Sequence, residues 1–451
     1  MGGETLGRAP TSAYTSNSIR LTVQEFDLFI PTESPEAFSL SVSRAEISRS
    51  IKILGTSKTT KLRIPEADLT QAATDGLDRA SIYDLAWLAN KKRPRRRSAS
   101  GEMASVDLFA GCGGLSLGIA EATHGLGYSH CCKLACDIDE AALAVYSRNF
   151  SPKATLSTAI ELVIDKPFGS SESDSEKKWL GGLGDVDFLV GGPPCQGHSD
   201  LNNHTRRNDP RNDLYGIMSR AGQILQPRCI IIENVPGVQH AKNQVVQRTI
   251  GELESIGYKF VSVVLNAADY GVAQNRKRHF SIGTVGSTDR ILPIINTLKG
   301  LPRPVWWAIK DLDEQGYDPE DTFCSSAVHS KENVRRISYL FDHDLYELPN
   351  EERPDCHKNK VHSYKSVYGR MYPDAPSPTI TSGFGSTGQG RFVHPYRRRT
   401  LTPHEAARVQ FFPDWFDFGD NGRRQLQKLI GNAVPPKLGY VLALALIDSL
   451  R

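Results

Sequence analysis

The sequence predicts an α/β protein built on a mostly parallel central sheet. Short apolar runs typical of buried strands recur between Ser105 and about residue 286: VDLFAG, KLACDID, DVDFLVGG, CIIIENV, FVSVVLNA and RHFSIGTV. Helical stretches such as LSLGIAEA separate several of these runs, and strands that alternate with helices indicate a parallel sheet. A chain of 451 residues allows two to four domains at roughly 100 to 200 residues each.

Composition excludes several classes of protein. With 39% hydrophobic and 23% charged residues, the chain is neither a collagen, a mucin nor a wholly disordered protein. We expect no membrane span, because no run of about 18 apolar residues occurs, and no secretory signal, because the N-terminus lacks an apolar segment. Eight cysteines are few for a disulfide scaffold of this length and favour a reducing compartment. The formal net charge is only +3, so a nucleic-acid partner would need a local basic face.

The remaining segments divide the chain into four predicted parts. Residues 1–100 form an N-terminal extension of unknown role, with short strands followed by the helical stretch SIYDLAWLAN. The α/β part covers residues 104–286. Residues 287–396 are rich in Pro, His, Arg and aromatic side chains and have no steady period, which indicates a smaller irregular domain. Regular structure returns in residues 397–451, with TPHEAARVQFF and the C-terminal helix KLGYVLALALIDSL.

A basic run joins the extension to the α/β part. Residues 91–97, KKRPRRR, contain six cations in seven positions and stand next to Ser and Gly. Such a run is typical of a solvated linker. It also fits an arm that binds phosphates, or a nuclear address.

The first strand of the α/β part ends in a glycine-rich turn. Gly111 and Gly113 allow a tight turn and a close approach of the backbone to a ligand at the N-terminus of the next helix. Asp137 and Asp139 follow the next strand, where a carboxylate can bind ribose hydroxyls. The third glycine of a dinucleotide motif is missing, because Ser116 occupies that position. The turn therefore predicts either a nucleotide-like cofactor or no ligand.

Reactive side chains follow the later strands. The sequence GGPPCQG after DVDFLV places Cys195 on a rigid turn at a strand end, which favours a nucleophile over a buried structural thiol. Glu233 follows the strand CIII and is either an acid/base group or a solvated strand end. The cluster QNRKR, with Arg276 and Arg278, is either a solvated face or a binding site for phosphates or a substrate carbonyl.

In order and spacing, these motifs resemble those of the C5-cytosine DNA methyltransferases, over about three quarters of the chain from Val106 onward. DLFAGCGG resembles the first motif, for S-adenosylmethionine, and GGPPCQG the catalytic cysteine motif. ENV resembles the glutamate motif and QNRKR the Gln-x-Arg-x-Arg motif. RRRTLTPHEAARVQFFP resembles the motif after the target-recognition region, and GNAVPP the last motif, which returns to the cofactor.

The resemblance implies a Rossmann-like methyltransferase sheet, a target-recognition domain at 287–396 and S-adenosylmethionine as cofactor, with no metal. The implied catalytic residues are Cys195, Glu233, Arg276 and Arg278. The implied cofactor-binding residues are Phe109, Gly111, Gly113, Asp137, Ile138, Pro194, Leu214, Asn432 and Val434. Two positions depart from the family pattern, because Ala159 stands near the usual Asp of the third motif and His198 replaces the commoner Phe.

The chemistry of cytosine agrees with these roles. Carbon 5 is a poor nucleophile, and addition of the Cys195 thiolate at carbon 6 makes it enamine-like. Glu233 would assist at N3 and Arg278 at the carbonyl O2, where negative charge develops. None of this can occur inside a stacked duplex, so the base must be flipped into the pocket.

Three other functions compete with that of a DNA methyltransferase. A tRNA cytosine-5 methyltransferase shares the motifs, but the cysteine loop CQGHS lacks the CQPFT-like text of that branch. A catalytically silent DNA-binding regulator conflicts with the intact Cys195, Glu233, Arg276 and Arg278. An NAD-linked oxidoreductase would leave Pro-Pro-Cys and ENV unexplained.

One catalytic domain with one recognition region resembles bacterial restriction–modification enzymes. The expected partners are double-stranded DNA and, functionally, a cognate restriction endonuclease. We expect a monomer without membrane contact. The expected location is the cytoplasm, on the nucleoid, in a bacterium, or the nucleus in a eukaryote.

Overall fold

The N-terminal extension forms a small sheet followed by a helix. The computed structural model describes residues 38–43, 46–53, 56–63, 76–94, 99–194, 214–240, 244–314, 318–355, 357–358 and 367–450. The extension contributes an antiparallel meander of β1 (Phe38–Ser43), β2 (Glu46–Ile53) and β3 (Thr56–Arg63), and then helix α1 (Arg79–Leu88). Asp78 caps α1 by accepting a hydrogen bond from the Ser81 N–H at 2.6 Å, which satisfies one otherwise unpaired donor.

A seven-stranded sheet forms the centre of the molecule. Its strands are β4 (Glu102–Leu108), β5 (Ser129–Asp137), β6 (Ala154–Ser157), β7 (Phe188–Gly191), β8 (Cys229–Asn234), β9 (Lys259–Asn266) and β10 (Lys277–Thr284). The spatial order is β6-β5-β4-β7-β8-β10-β9, and β10 pairs antiparallel with both of its neighbours while the other pairings are parallel. The predicted mostly parallel sheet is therefore confirmed. The apolar runs did not indicate β6, which has four residues and one buried side chain, that of Leu156.

The chain after β4 also contains eleven described α-helices, several of which cover the two faces of this sheet. They are α2 (Gly114–Gly125), α3 (Glu140–Phe150), α4 (Asp174–Trp179), α5 (Tyr215–Leu225), α6 (Val245–Glu254), α7 (Ile291–Thr297), α8 (Val305–Glu314), α9 (Lys331–Asp342), α10 (Pro403–Val409), α11 (Arg423–Asn432) and α12 (Pro436–Ser449). One hydrophobic cluster, which includes Phe280 and Ile231, joins the sheet to α2 and α12. A second, which includes Leu189 and Met218, joins the opposite face to α5 and α6.

Helices α2 and α12 are in backbone contact through two glycines. A Cβ atom on Gly118 would lie 2.1 Å from the Pro436 carbonyl oxygen, and one on Gly439 would lie 2.6 Å from the Leu115 carbonyl oxygen. Any larger residue would push the two helices apart. The C-terminal segment therefore returns to the sheet and packs directly on its first helix.

Residues 287–396 contain more regular structure than their sequence indicates. Helices α7, α8 and α9 lie in this segment. Helix α9 buries Ile337 and Leu340 in a small separate cluster with Leu348, Tyr368 and Val393. The helix was not apparent from the sequence because only these two apolar positions of α9 are buried, in a stretch otherwise dominated by charge.

The helical stretch Arg423–Ser449 is long and apolar enough, by length and composition alone, to cross a membrane. However, 83% of its most apolar window is buried inside the protein, as in the core helix of a globular domain. The stretch also bends, because α11 ends at Asn432 and α12 begins at Pro436.

A buried carboxyl group supports the turn between β4 and α2. The Ser116 hydroxyl donates to Asp107 Oδ2 at 2.5 Å, and the Tyr146 hydroxyl donates to Ser116 Oγ at 2.8 Å. Asp107 is only 3% exposed, and burial raises its pKa to about 7. Between about pH 3.8 and pH 7, the folded protein therefore retains a proton on Asp107 that the unfolded chain releases.

We predict that Asp107→Asn removes a pH dependence of folding. Because the folded pKa is raised, the wild type loses stability as pH rises from 3.8 to about 7, and the loss persists at higher pH. The neutral amide does not titrate, so the free energy of unfolding of the variant should rise relative to wild type by up to about 4 kcal/mol across this window. Urea unfolding of both proteins at a series of pH values measures the difference. A difference that does not change with pH would contradict the prediction.

Candidate active site

The turn after β4 is held in a conformation that requires glycine. Gly113 has a φ of +92°, and a Cβ atom there would lie 2.3 Å from the Phe150 ring. A Cβ atom on Gly114 would lie 2.2 Å from the Val434 carbonyl oxygen. The first motif and the last motif are therefore in direct contact, although more than 300 residues of chain separate them.

Asp137 ties the ends of β4 and β5 together. Its Oδ2 accepts a hydrogen bond from the Gly111 N–H at 2.7 Å, and its Oδ1 accepts one from the Asp139 N–H at 2.8 Å. Asp139 has a different task, because its carboxylate caps α3 and forms an ion pair with Lys428 at 2.6 Å. Of the two carboxylates that the sequence offered for ribose hydroxyls, Asp137 is the one at the glycine turn.

Apolar side chains stand at the same edge of the sheet. Ile138 directly follows β5 and is 76% exposed, which is unusual for so apolar a side chain. Phe109, Leu214 and Val434 are half-buried, while Pro194 and Asn432 are exposed. Ala159, where the family's third motif usually has Asp, precedes a short 3₁₀ helix and has no side-chain hydrogen-bonding group.

The segment that leads to Cys195 is anchored through its backbone. Gly191 is packed so tightly that a Cβ atom would lie 2.8 Å from the Leu108 carbonyl oxygen. The Asn234 side chain donates to the Pro193 carbonyl oxygen at 3.2 Å, and so links the Pro-Pro turn to the end of β8. Cys195 itself lies outside the described residues, as does His198.

Glu233 and Arg278 form an ion pair beside this segment. Arg278 Nε lies 2.8 Å from Glu233 Oε1, and the two side chains are 15% and 13% exposed. A Cβ atom on Gly192 would lie 3.0 Å from Glu233 Oε2, so the carboxyl group borders the turn that leads to Cys195. Burial raises the pKa of Glu233, although Arg278 and Arg276 oppose the increase.

Arg276 is oriented differently from Arg278. It is 2% exposed, and its guanidinium donates to the Ile380 carbonyl oxygen at 2.8 Å and to the Gly431 carbonyl oxygen at 3.0 Å. The structure thus places Glu233 and Arg278 together. Arg276 instead ties the start of β10 to two distant segments.

Two glutamines belong to the same hydrogen-bond network as Arg276. Neither was assigned a role from the sequence. Gln274 Nε2 donates to Gln410 Oε1 at 2.8 Å, and Gln274 Oε1 accepts from the Ile380 N–H at 2.7 Å. Gln410 Nε2 donates to the Ile430 carbonyl oxygen at 2.6 Å. The sequence could have pointed to these residues through its motifs, since Gln274 lies in QNRKR and Gln410 in HEAARVQFF. In the same way, Asn234 lies in ENV.

Comparison with known proteins identifies the family. The sequence model of the C-5 cytosine-specific DNA methylases matches residues 103–448. The type II methyltransferase M1.BsuMI of Bacillus subtilis is 51% identical over 363 residues, which are 80% of this chain and 84% of that protein. The type II methyltransferase M.DdeI of Desulfomicrobium norvegicum is 32% identical over 390 residues, or 76% of this chain and 88% of that protein.

Solved structures agree on the fold. A prophage-encoded Escherichia coli protein assigned as a DNA modification methyltransferase superposes with a TM-score of 0.53 at 24% identity, and covers 77% of this chain and 99% of its own. The methyltransferase EhMeth of Entamoeba histolytica gives a TM-score of 0.52 at 18% identity, with 78% of this chain and 99% of that one covered. At such identity the likeness concerns the sheet and its helices alone. With the family match over most of its length, the chain belongs to the C-5 cytosine-specific DNA methylases.

Proposed function

We propose that this protein methylates carbon 5 of a flipped cytosine in a specific duplex DNA sequence, through a covalent adduct with Cys195. The observation that carries the proposal is the Glu233–Arg278 pair, held against Gly192 at the sheet edge where the described chain reaches Pro194. Because its pKa is raised, the Glu233 carboxyl group is suited to donate a proton to a pyrimidine ring. It lies next to the Arg278 cation and against Gly192, which is three residues before Cys195.

The glycine turn fits S-adenosylmethionine. No atom lies within 4 Å of a Cβ position on Gly111, so the backbone there borders open space, and Ile138 offers an exposed apolar surface for an adenine ring. The half-buried Asp137 carboxylate stands between them and suits ribose hydroxyls. The residues that we propose to hold the cofactor are Phe109, Gly111, Gly113, Asp137, Ile138, Pro194, Leu214, Asn432 and Val434.

The protein's own groups account for activation of the base. We propose that the Cys195 thiolate forms a bond to carbon 6, while Glu233 donates a proton at N3 and Arg278 stabilises the carbonyl O2. S-adenosylmethionine, when bound, supplies the methyl group that carbon 5 takes up. A base then takes the carbon-5 proton, the bond between carbon 6 and the Cys195 sulfur breaks to release the thiolate, and the N3 proton returns to Glu233. Arg276 supports the position of Arg278 indirectly, because its guanidinium donates hydrogen bonds to the backbone carbonyl oxygens of Ile380 and Gly431.

We propose that residues 287–396 recognise the target sequence, as in the domain division expected from the sequence. Several arginines there and just after it form ion pairs within the protein: Arg370 with Asp344, Arg391 with Glu347, Arg397 with Asp313, and Arg398 with Asp342. A cavity of about 380 Å³ adjoins Asn275 and is lined by Met371, Tyr372 and Thr379. It offers polar and aromatic groups within the proposed recognition segment.

The biological setting follows from the relatives. Since M1.BsuMI and M.DdeI are type II methyltransferases, we propose that this protein protects DNA from a cognate restriction endonuclease in a bacterial cytoplasm, acting as a monomer. The Glu233–Arg278 pair favours an active enzyme over a silent DNA-binding regulator. A tRNA substrate is the second candidate, and methyl transfer to duplex DNA compared with tRNA separates the two.

We further propose that the basic run 91–97 is an arm that follows the DNA backbone. Lys91, Lys92 and Arg93 are exposed, and the Arg93 guanidinium lies 5.3 Å from the Trp415 ring, which places the start of the run on the catalytic domain. Residues 95–97 lie outside the described residues.

Replacement of Cys195 tests the function directly. We expect the wild type to transfer labelled methyl groups from S-adenosylmethionine to duplex DNA and not to tRNA. Cys195→Ala should still bind the cofactor but transfer no methyl group, because no thiolate is present to activate the ring. It should also form no covalent adduct with 5-fluorocytosine DNA, in which the carbon-5 proton is missing. An adduct formed by the variant would overturn the assignment of Cys195.

Glu233→Gln tests the acid. The amide cannot donate a proton as a carboxylic acid does, so the chemical step measured in single turnover should slow by about 100-fold or more. Affinity for S-adenosylmethionine should hardly change. Glu254→Gln, an exposed position on α6, is the matched control and should behave as wild type. Equal losses in rate and cofactor affinity for Glu233→Gln would instead indicate that Glu233 only supports the fold.

A salt titration tests the basic arm. With the six cations of residues 91–97 replaced by Ser or Gln, binding to specific and non-specific DNA should weaken alike. The slope of log K against log salt concentration should flatten by about 0.9 for each phosphate that the arm no longer neutralises. Target choice and the rate at saturating DNA should remain as in wild type. Equal slopes for both proteins would remove the DNA-arm interpretation in favour of a solvated linker.

A further inference from the structure

Helix α1 of the N-terminal extension is built into the catalytic domain. The Trp87 ring stacks on Phe411 with centroids 5.3 Å apart, and its Nε1 donates to Glu121 on α2 at 3.2 Å. The Leu88 carbonyl oxygen accepts a hydrogen bond from the Asp414 N–H at 2.8 Å. The buried side chains of β2, β3 and α1 belong to the same hydrophobic cluster as α2 and α12. The extension therefore shares its core with the enzyme.

An ion cluster lies at the centre of this interface. Asp84 on α1 is 4% exposed and accepts from two cations of the catalytic domain. Arg303 Nη1 donates to it at 2.7 Å, and Lys437 Nζ donates to both carboxylate oxygens at 2.8 and 2.9 Å. Although burial favours the neutral form, Lys437 and Arg303 hold the pKa of Asp84 below its ordinary value. The carboxylate is therefore charged and shared between two cations.

Arg303 connects Asp84 to the proposed recognition segment. It stands two residues before α8, and its guanidinium lies 4.5 Å from the Trp307 ring on that helix. The other side of the guanidinium packs on Gly271, where a Cβ atom would lie 2.9 Å from its central carbon. Gly271 is three residues before Gln274. Arg303 thus fixes the first long helix of the recognition segment against the loop at Gly271, which leads to Arg276 and Arg278.

Lys437 connects Asp84 to the proposed cofactor end. It is the second residue of α12 and directly follows the motif GNAVPP. The carbonyl oxygen of Val434 in that motif contacts Gly114 at the glycine turn. A shift of Lys437 would therefore move the backbone that borders the cofactor.

We propose that Asp84 is a positioning residue, which holds Arg303 and Lys437 together and so sets the recognition segment relative to the cofactor-binding turn. The inference rests on the proposed function for the roles of those two segments. It assigns a task to the extension, which the sequence left without a role.

The interface is suited to holding parts in place and not to binding a ligand. Its cavity measures about 20 Å³ and is lined by Arg49, Asp84, Glu121 and Lys437 among others, so it has room for about one water molecule. The Arg49 guanidinium lies 4.6 Å from the rings of both Tyr83 and Tyr440, and fills the aromatic space itself.

Three variants separate the two contacts of Asp84. The contact with Arg303 is called the recognition arm of the cluster, and the contact with Lys437 is called its cofactor arm. Arg303→Met breaks only the recognition arm and should raise the KM for unmethylated plasmid DNA about tenfold while leaving the dissociation constant for S-adenosylmethionine unchanged. Lys437→Met breaks only the contact on the cofactor side. It should raise the dissociation constant for S-adenosylmethionine about tenfold and leave the KM for plasmid DNA unchanged. Asp84→Asn should show both effects, and Asp84→Glu should recover part of each. Binding of the cofactor is measured by calorimetry, and KM and kcat by methyl transfer to the plasmid.

Hydrogen exchange gives a readout that does not depend on the reaction. Exchange should speed up in α8 for Arg303→Met, in α12 for Lys437→Met and in both helices for Asp84→Asn. Asp78→Ala, which removes the cap of α1 and leaves the ion cluster intact, is the matched control and should produce neither pattern.

The outcomes distinguish this inference from the proposed function. A wild type that methylates no DNA would reject the proposed function, and the exchange patterns would still decide the role of Asp84. If the wild type is active but the three cluster variants change only the fraction of folded protein, with binding constants and exchange as in the control, the positioning role is wrong.

Discussion

The contact between α2 and α12 is the constraint on which the rest of the active site depends. Gly118 and Gly439 let the two backbones meet, and the same close approach brings Val434 onto the glycine turn at Gly114. The edge that we propose to bind the cofactor is thus assembled from the two ends of the catalytic domain. Because these ends are more than 300 residues apart, the turn gains its contact with Val434 only when the C-terminal segment packs on α2. The first and last motifs are therefore neighbours because of this one packing arrangement.

The catalytic side depends on polar groups buried behind it. Arg276, Gln274 and Gln410 donate to backbone carbonyls or to one another across β10, residue 380 and residues 430–431. Leaving any of these buried groups without its partner costs about 1 to 3 kcal/mol, so the network specifies one arrangement of the segments. Arg278 is thereby placed to pair with Glu233. The two arginines of one short motif have different partners, since Arg276 binds backbone carbonyl oxygens and Arg278 binds the carboxylate of Glu233.

Much of the fold could be predicted from the sequence, and the reasons for the misses are physical. The apolar runs predicted most of the central strands, because strands that are buried on both faces are mostly apolar. The edge strand β6 and the charged helix α9 give no such signal, since each buries very few side chains. Motif order predicted that Glu233 and Arg278 belong to one site. Nothing in the local sequence separates Arg276 from Arg278, because what distinguishes them is contact with Ile380 and Gly431, far along the chain.

In the N-terminal extension, too, the role of a residue depends on partners that are remote in sequence. Asp84 lies in a helix whose local pattern, SIYDLAWLAN, offers a charged residue among apolar ones, and nothing nearby in sequence neutralises it. Its partners, Arg303 and Lys437, are 219 and 353 residues away. A carboxylate buried without a cation would be strongly unfavourable, as would either cation without the carboxylate. The cluster therefore forms as a unit when three remote segments meet. A fold in which the proposed recognition segment interrupts the catalytic domain gains from such a tie, because α1 then holds the early part of that segment and the C-terminal part of the domain together.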